Sequence, residues 1–203
     1  QIMAVRSHLT YDPNVKQNID LPRLKYNLDK DRLAFYKDRV EALKNGERIA
    51  PVTIDMALTQ WCNLACVFCY AGLQQNKSSP FPWSTYSRFL DDCIEIGHKP
   101  GEGVRGISLI SDGESTGSPY FMDFVRKAKD IGIDVSSGTN GLKIKKRDIP
   151  ELVDKLTYIR FNLNAGNANS NADIMGGQPQ HFYQLMDIVK EFVYQKKERG
   201  SNI

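Results

Sequence analysis

From Val52 onward, short β-rich apolar runs alternate with longer segments in which apolar residues recur at helical spacing. The runs Val52 to Leu58, Gly106 to Ile110, Ile133 to Ser137 and Tyr158 to Leu163 read as strands. The last is almost continuously apolar, which predicts a parallel strand buried on both faces. Ser84 is placed to cap a helix that runs to Ile96, with Phe89, Leu90, Cys93 and Ile94 on its apolar side and Gly97 at its end. Ser118-Pro119 opens a second helix through Phe124, Val125 and Ala128 to a stop at Gly132. A short helix around Pro150 to Leu156 follows. A long one from Gln180 to Lys197 carries Phe182, Leu185, Met186, Val189 and Val193 at helical spacing. Strand and helix therefore alternate four times, with no fixed-period repeat beneath them. That alternation predicts an α/β fold whose strands are parallel and joined by right-handed crossovers.

Residues 1–50 read as an extension in front of a core that occupies 51–203. The first twenty are polar and irregular, with Asp12-Pro13 as a turn signal. From Lys30 to Asn45 the residues Leu33, Tyr36, Val40 and Leu43 follow helical spacing, and Gly46 is placed to cap that helix. The extension is expected to pack on the core through this helix.

Composition changes this picture little. The 203 residues are 41% hydrophobic and 25% charged, as in an ordinary globular protein, and the net charge of +3 gives no electrostatic case for a nucleic-acid partner. No apolar run approaches the roughly 20 residues of a membrane span, and the start, at Gln1, has no signal-peptide pattern.

The chemistry concentrates in one place. Of the four cysteines, Cys62, Cys66 and Cys69 lie in the loop after the first strand at a C-x3-C-x2-C spacing, so one loop can offer three thiolates to one metal centre. A structural zinc ion needs a fourth ligand, for which His98 and Cys93 are the candidates. A thiol-redox pair would use Cys66 and Cys69 and leave Cys62 without a role. A four-iron cluster on three thiolates would keep one iron open to a small molecule. Cys93, on the predicted helix, is expected to be a buried small hydrophobe. Reduced thiols in this number fit the cytoplasm.

With Phe68 before the last cysteine and Tyr70 after it, the motif resembles the signature of the radical SAM superfamily. Three later strand ends extend the resemblance. Asp112-Gly113-Glu114-Ser115 stands where the family has Gly-Gly-Glu-Pro, with Asp112 replacing the first glycine and Ser115 the proline. Thr139-Asn140-Gly141 resembles the Thr-Asn-Gly of the SPASM-like and molybdenum-cofactor-like branches. Arg160-Phe-Asn162-Leu-Asn164 aligns with a segment in which a serine contacts the cofactor, and Asp173 to Gly177 resembles the polar, glycine-containing loop that follows.

The resemblance implies a partial (β/α) barrel holding a [4Fe–4S] cluster on Cys62, Cys66 and Cys69, with S-adenosylmethionine chelating the open iron. Reductive cleavage of that cofactor yields a 5′-deoxyadenosyl radical, which abstracts hydrogen from a substrate. Gly113 and Glu114 are implied to receive the methionine amino group, Phe68 to lie near the adenine, and Thr139 and Asn162 to complete the cofactor site. Implied partners are an electron donor such as flavodoxin or ferredoxin, and a peptide or natural-product intermediate as substrate. RNA or a small metabolite is the alternative substrate, and a non-enzymatic zinc module the alternative function. The family barrel has more βα units than the four read here, so the chain is expected to be part of a longer one. No catalytic residue beyond the cofactor site is assigned.

Overall fold

The computed structural model describes residues 36–73, 79–96 and 103–203. Asp12-Pro13, Leu33, Gly97 and His98 lie outside the described residues. The chain divides into two units, residues 1–48 and residues 49–203. In the first, helix α1 (Lys37–Lys44) ends where Gly46 takes φ +80°. There Gly46 N–H bonds Leu43 O at 3.0 Å and Glu47 N–H bonds Ala42 O at 2.9 Å, the paired bonds of a Schellman motif.

The second unit contains four parallel strands in the order β1-β2-β3-β4. They are β1 (Thr53–Asp55), β2 (Gly106–Leu109), β3 (Asp134–Thr139) and β4 (Tyr158–Phe161), joined by α2 (Trp83–Glu95), α3 (Phe121–Asp130) and α4 (Ile149–Lys155). Two helices follow β4, α5 (Ala168–Met175) and α6 (Pro179–Arg199). The predicted α/β alternation is the architecture observed.

Strand alternation gives the sheet two unlike faces. Ile107, Leu109 and Val135 are buried in one apolar cluster with Leu90 of α2, Phe124 and Val125 of α3, and Leu152 of α4. The opposite face carries Gly106, Ser108, Ser136 and Gly138, all only half-buried. Small polar residues leave that face open over the middle of the sheet.

Several predicted bounds shift for identifiable reasons. The second helix begins at Trp83, not by a Ser84 cap. Pro82, at ψ 152°, stands outside the helix and its carbonyl accepts the Thr85 N–H at 3.0 Å. The third begins at Phe121, because Ser115–Gly117 forms a separate 3-10 turn and Ser118 Oγ accepts the Tyr120 N–H. β3 continues through Gly138 and Thr139, which pair with Arg160 and Phe161 of β4. β4 is not buried on both faces: it is an edge strand of the described sheet, with Tyr158 48% exposed. Its alternation explains this, since Phe161 packs edge-on against Phe192 of α6 at 5.2 Å while Tyr158 and Arg160 point to the open side. On α6 the buried positions are Leu185, Ile188 and Phe192, whereas Val193 is exposed. Helix α5 covers part of what read as a loop.

Phe124 is fully buried and meets Tyr86 edge to face at 6.2 Å. Phe124→Ala should cost about 3–5 kcal/mol in denaturant unfolding. A second test concerns Arg126, which clamps Glu151 through paired bonds of 2.8 and 2.7 Å and so ties α3 to α4. The bonds from Arg126 hold the Glu151 carboxyl below its ordinary value, against the opposing effect of burial. A lowered folded-state value means that the pair stabilises above the unfolded carboxyl range and that the contribution fades as pH falls through it. Glu151→Gln should therefore cost less than about 1 kcal/mol at pH 7, and the difference from the parent should shrink as pH falls below the ordinary carboxyl range and vanish only below the lowered folded-state value.

Candidate cluster and cofactor site

The cysteine loop follows β1, and backbone contacts from two other parts of the fold, the turn after β2 and the end of α5, set its path. After β2, Gly113 takes φ +66° and packs so tightly on the loop that a Cβ there would lie 2.2 Å from Thr59 O and 2.8 Å from Trp61 O. The next residue, Glu114, donates its N–H to Trp61 O at 2.8 Å. At the end of α5, Gly176 takes φ +61°, and a Cβ there would lie 2.2 Å from Ala65 O. The Val67 N–H donates to Ile174 O at 3.0 Å, which fixes the loop beside the same helix end. Trp61 lies flat along Gly117 with the Lys143 ammonium 5.1 Å above its ring. Within the loop, Cys69 N–H bonds Cys66 O at 3.0 Å.

Glu114 joins the ends of β2 and β3. Only 3% exposed, its carboxylate accepts Thr116 Oγ1 at 2.6 Å and Thr139 Oγ1 at 2.7 Å on one oxygen, and the Asn140 N–H at 2.7 Å on the other. The Asn140 side chain then reaches the cysteine loop. Its Nδ2 donates to Asn63 Oδ1 at 3.0 Å and stands 3.9 Å from Cys62 Sγ. Asn140, noted in the sequence only as part of the Thr-Asn-Gly tripeptide and not assigned to the cofactor site, is thus placed beside the cysteine loop. Thr139 is fully buried and serves Glu114.

The other expected residues fall around this knot. Phe68 is 62% exposed between the second and third cysteines. Tyr70 is exposed, and the nearby Asp112 carboxylate pushes the pKa of its phenol up. Asn162, whose N–H bonds Thr139 O at 2.8 Å, lines a small cavity between the loop and the last two helices with Leu64, Asn140, Asn171, Met175 and His181. Cys93 belongs to the apolar core at 4% exposure, and burial pushes its thiol up to about 11. The structure therefore does not bring it to the loop as a fourth ligand.

The donor set suits an iron–sulfur cluster in type and number. Burial raises the pKa values of Cys62 and Cys66; Cys62 is raised further by the charges of Glu114 and Cys69, and Cys66 by those of Cys62 and Cys69. Thiolates that repel one another on one loop are stabilised by a shared cationic centre, whose binding releases their protons. Among the described residues, no three Cys, His, Asp or Glu side chains are already gathered at metal-binding distance. The clamps thus order the backbone of the loop ahead of its thiols.

Gly113→Ala should test the clamp. The left-handed backbone alone costs an alanine about 1–2 kcal/mol, and the contact with Thr59 O forces the loop aside. The variant should keep its far-ultraviolet circular dichroism but bind markedly less iron on anaerobic reconstitution than the parent.

Comparison with known proteins agrees with this geometry. The family model for the radical SAM superfamily matches residues 56–195. An S-adenosylmethionine-dependent nucleotide dehydratase of Flammeovirga pacifica is 26% identical over 163 residues, covering 76% of this chain and 54% of that protein. The sporulation killing factor maturation protein SkfB of Bacillus subtilis is 26% identical over 142 residues, covering 70% of this chain and 32% of that protein. The structure of SuiB of Streptococcus suis bound to its precursor peptide SuiA superposes with a TM-score of 0.62 at 18% identity, covering 93% of this chain and 39% of that one. The chain thus spans about half or less of the length of these proteins. The matched span includes the cysteine loop and the ends of β2, β3 and β4, and the chain belongs to the radical SAM superfamily, whose cofactors are a [4Fe–4S] cluster and S-adenosylmethionine.

Proposed function

We propose that residues 51–203 are the first four βα units of a radical SAM enzyme that modifies a peptide or natural-product intermediate. Cys62, Cys66 and Cys69 hold the cluster, and the observation that carries this is their placement on a loop pinned by Gly113 and Gly176. When bound, the cluster and S-adenosylmethionine supply one-electron cleavage of the cofactor and a radical that abstracts hydrogen. The chain's own groups orient the reactants. The turn after β2 meets the methionine end, Phe68 flanks the adenine, and Asn140, Thr139 and Asn162 shape the wall between the loop and α5. Electrons come from a flavodoxin or ferredoxin, and thiols that must stay reduced to hold a cluster support a cytoplasmic location. Among the described residues, no helix is long and apolar enough to cross a membrane.

The names of two similar proteins support a peptide substrate: one matures the sporulation killing factor, and the other is seen with its precursor peptide. A small-metabolite substrate is the second reading, favoured by the similarity to a nucleotide dehydratase.

The test is an electron paramagnetic resonance spectrum of the reconstituted, reduced protein with and without S-adenosylmethionine. A [4Fe–4S]⁺ signal that changes on adding the cofactor is expected. A cluster signal indifferent to it in the full-length protein would sink the proposal. Cys62→Ala, Cys66→Ala and Cys69→Ala should each abolish the signal. Cys93→Ala should keep it and cost roughly 1 kcal/mol of stability.

A further inference from the structure

The end of α5 meets the cysteine loop residue against residue, and one of these meetings is between side chains. Ile174 O accepts the Val67 N–H at 3.0 Å, and Gly176 packs on the carbonyl of Ala65. Between them Met175 and Cys66 stand sulfur to sulfur, the Cys66 thiol donating to Met175 Sδ at 3.7 Å. Met175 is only 4% exposed, and a second contact holds its side chain. Asn164 Nδ2, in the loop after β4, donates to the same sulfur, and the Asn164 N–H donates at 3.3 Å to Oδ1 of the buried Asn171. A methionine side chain is ordinarily adaptable, but here the loop after β4 and α5 together fix where its sulfur sits. The three thiols therefore differ in their surroundings. Cys62 and Cys69 are exposed and Cys66 is half-buried. Cys62 has an amide donor, Asn140 Nδ2, 3.9 Å from its sulfur, whereas Cys66 faces a thioether, which has no hydrogen to donate.

We infer that Met175 is a positioning residue for the cluster: it seats the sulfur of Cys66 and keeps water and hydrogen-bond donors from that side of it. This rests on the proposed radical SAM site. Reduction adds negative charge to a cluster and its thiolates, so water and donors at a ligand sulfur favour the reduced state and raise the potential. A buried thioether supplies neither. Met175 thereby holds the potential low, which suits a cluster that has to pass its electron on. Asn164 acts one step further out, by fixing the thioether that faces the thiol.

Two measurements on the full-length protein test this. The first is the midpoint potential of the reconstituted cluster, from a redox titration followed by electron paramagnetic resonance. Met175→Gln has nearly the length of the parent side chain and brings an amide donor to Cys66, so its potential should shift upward. Met175→Leu keeps the apolar wall and should keep the parent's potential. A Gln variant with the parent's potential, or a Leu variant that shifts as far as Gln, overturns the assignment. The second needs no cluster: the rate at which iodoacetamide alkylates each cysteine before reconstitution, read by peptide mass spectrometry. Met175→Ala should let Cys66 react several-fold faster and leave Cys62 and Cys69 at their parent rates, since access governs a thiol's reactivity. An unchanged rate at Cys66 overturns the seat, and so does an equal rise at all three, which is the mark of a loosened loop. A parent whose cluster signal ignores S-adenosylmethionine would refute the underlying site reading, and the alkylation rates would still decide whether Met175 seats Cys66.

Discussion

The site depends on one buried carboxylate. Glu114 is removed from water, and a carboxylate in that position costs free energy unless its oxygens are hydrogen-bonded. Here the compensation comes from two hydroxyls and from the Asn140 N–H at the end of β3. Satisfying the charge therefore fixes the relative placement of two strand ends. The same residue's N–H holds Trp61 O, so the cysteine loop is drawn into the arrangement, and Asn140 passes the constraint on to Asn63 beside Cys62. A network of this kind stiffens a site because no member can leave without stranding another.

The sheet prepares the ground for that network by treating its faces unequally. Ile107, Leu109 and Val135 fill the apolar core beneath α2, α3 and α4, which fixes where the strands end. The other face is lined by Ser108, Ser136 and Gly138, too small to fill the space over it. A Cβ on Gly138 would come within 3.4 Å of Arg160 and closer still to Ile110, so at this position the neighbouring side chains already cover the strand. One face supplies stability, and the other presents small residues along β2 and β3.

The alternation of strands and helices was legible because its period is a local property, and the three cysteines were legible because one loop carries them all. The bonding of Glu114 was not. Its partners Thr139 and Asn140 lie far along the chain, and nothing in the sequence distinguishes an acid that faces a ligand from one that turns inward. The exposure of Tyr158 was hidden for a related reason: an apolar run looks the same at an edge as in the middle of a sheet, and only pairing decides. Helix α5 was missed because its polar sequence gives no apolar stripe, although Asn167, which caps it by accepting the Ser170 N–H, and Gly176, which ends it, were both readable as signals.

Order and freedom are divided within the loop itself. Its backbone is held at Thr59, Trp61, Ala65 and Val67 by contacts that exist without any metal. Of the side chains proposed to meet the cofactors, Cys62, Phe68 and Cys69 by contrast stay exposed. Fixing a residue's backbone costs on the order of 1–2 kcal/mol, and in a loop ordered only by its metal that cost would be drawn from the metal-binding free energy. Here the strand ends and α5 have already met much of it. For the proposed cluster, what would remain is to gather three thiols on a backbone already in place, and the binding free energy not spent on folding the loop would be available to hold iron against competing ligands.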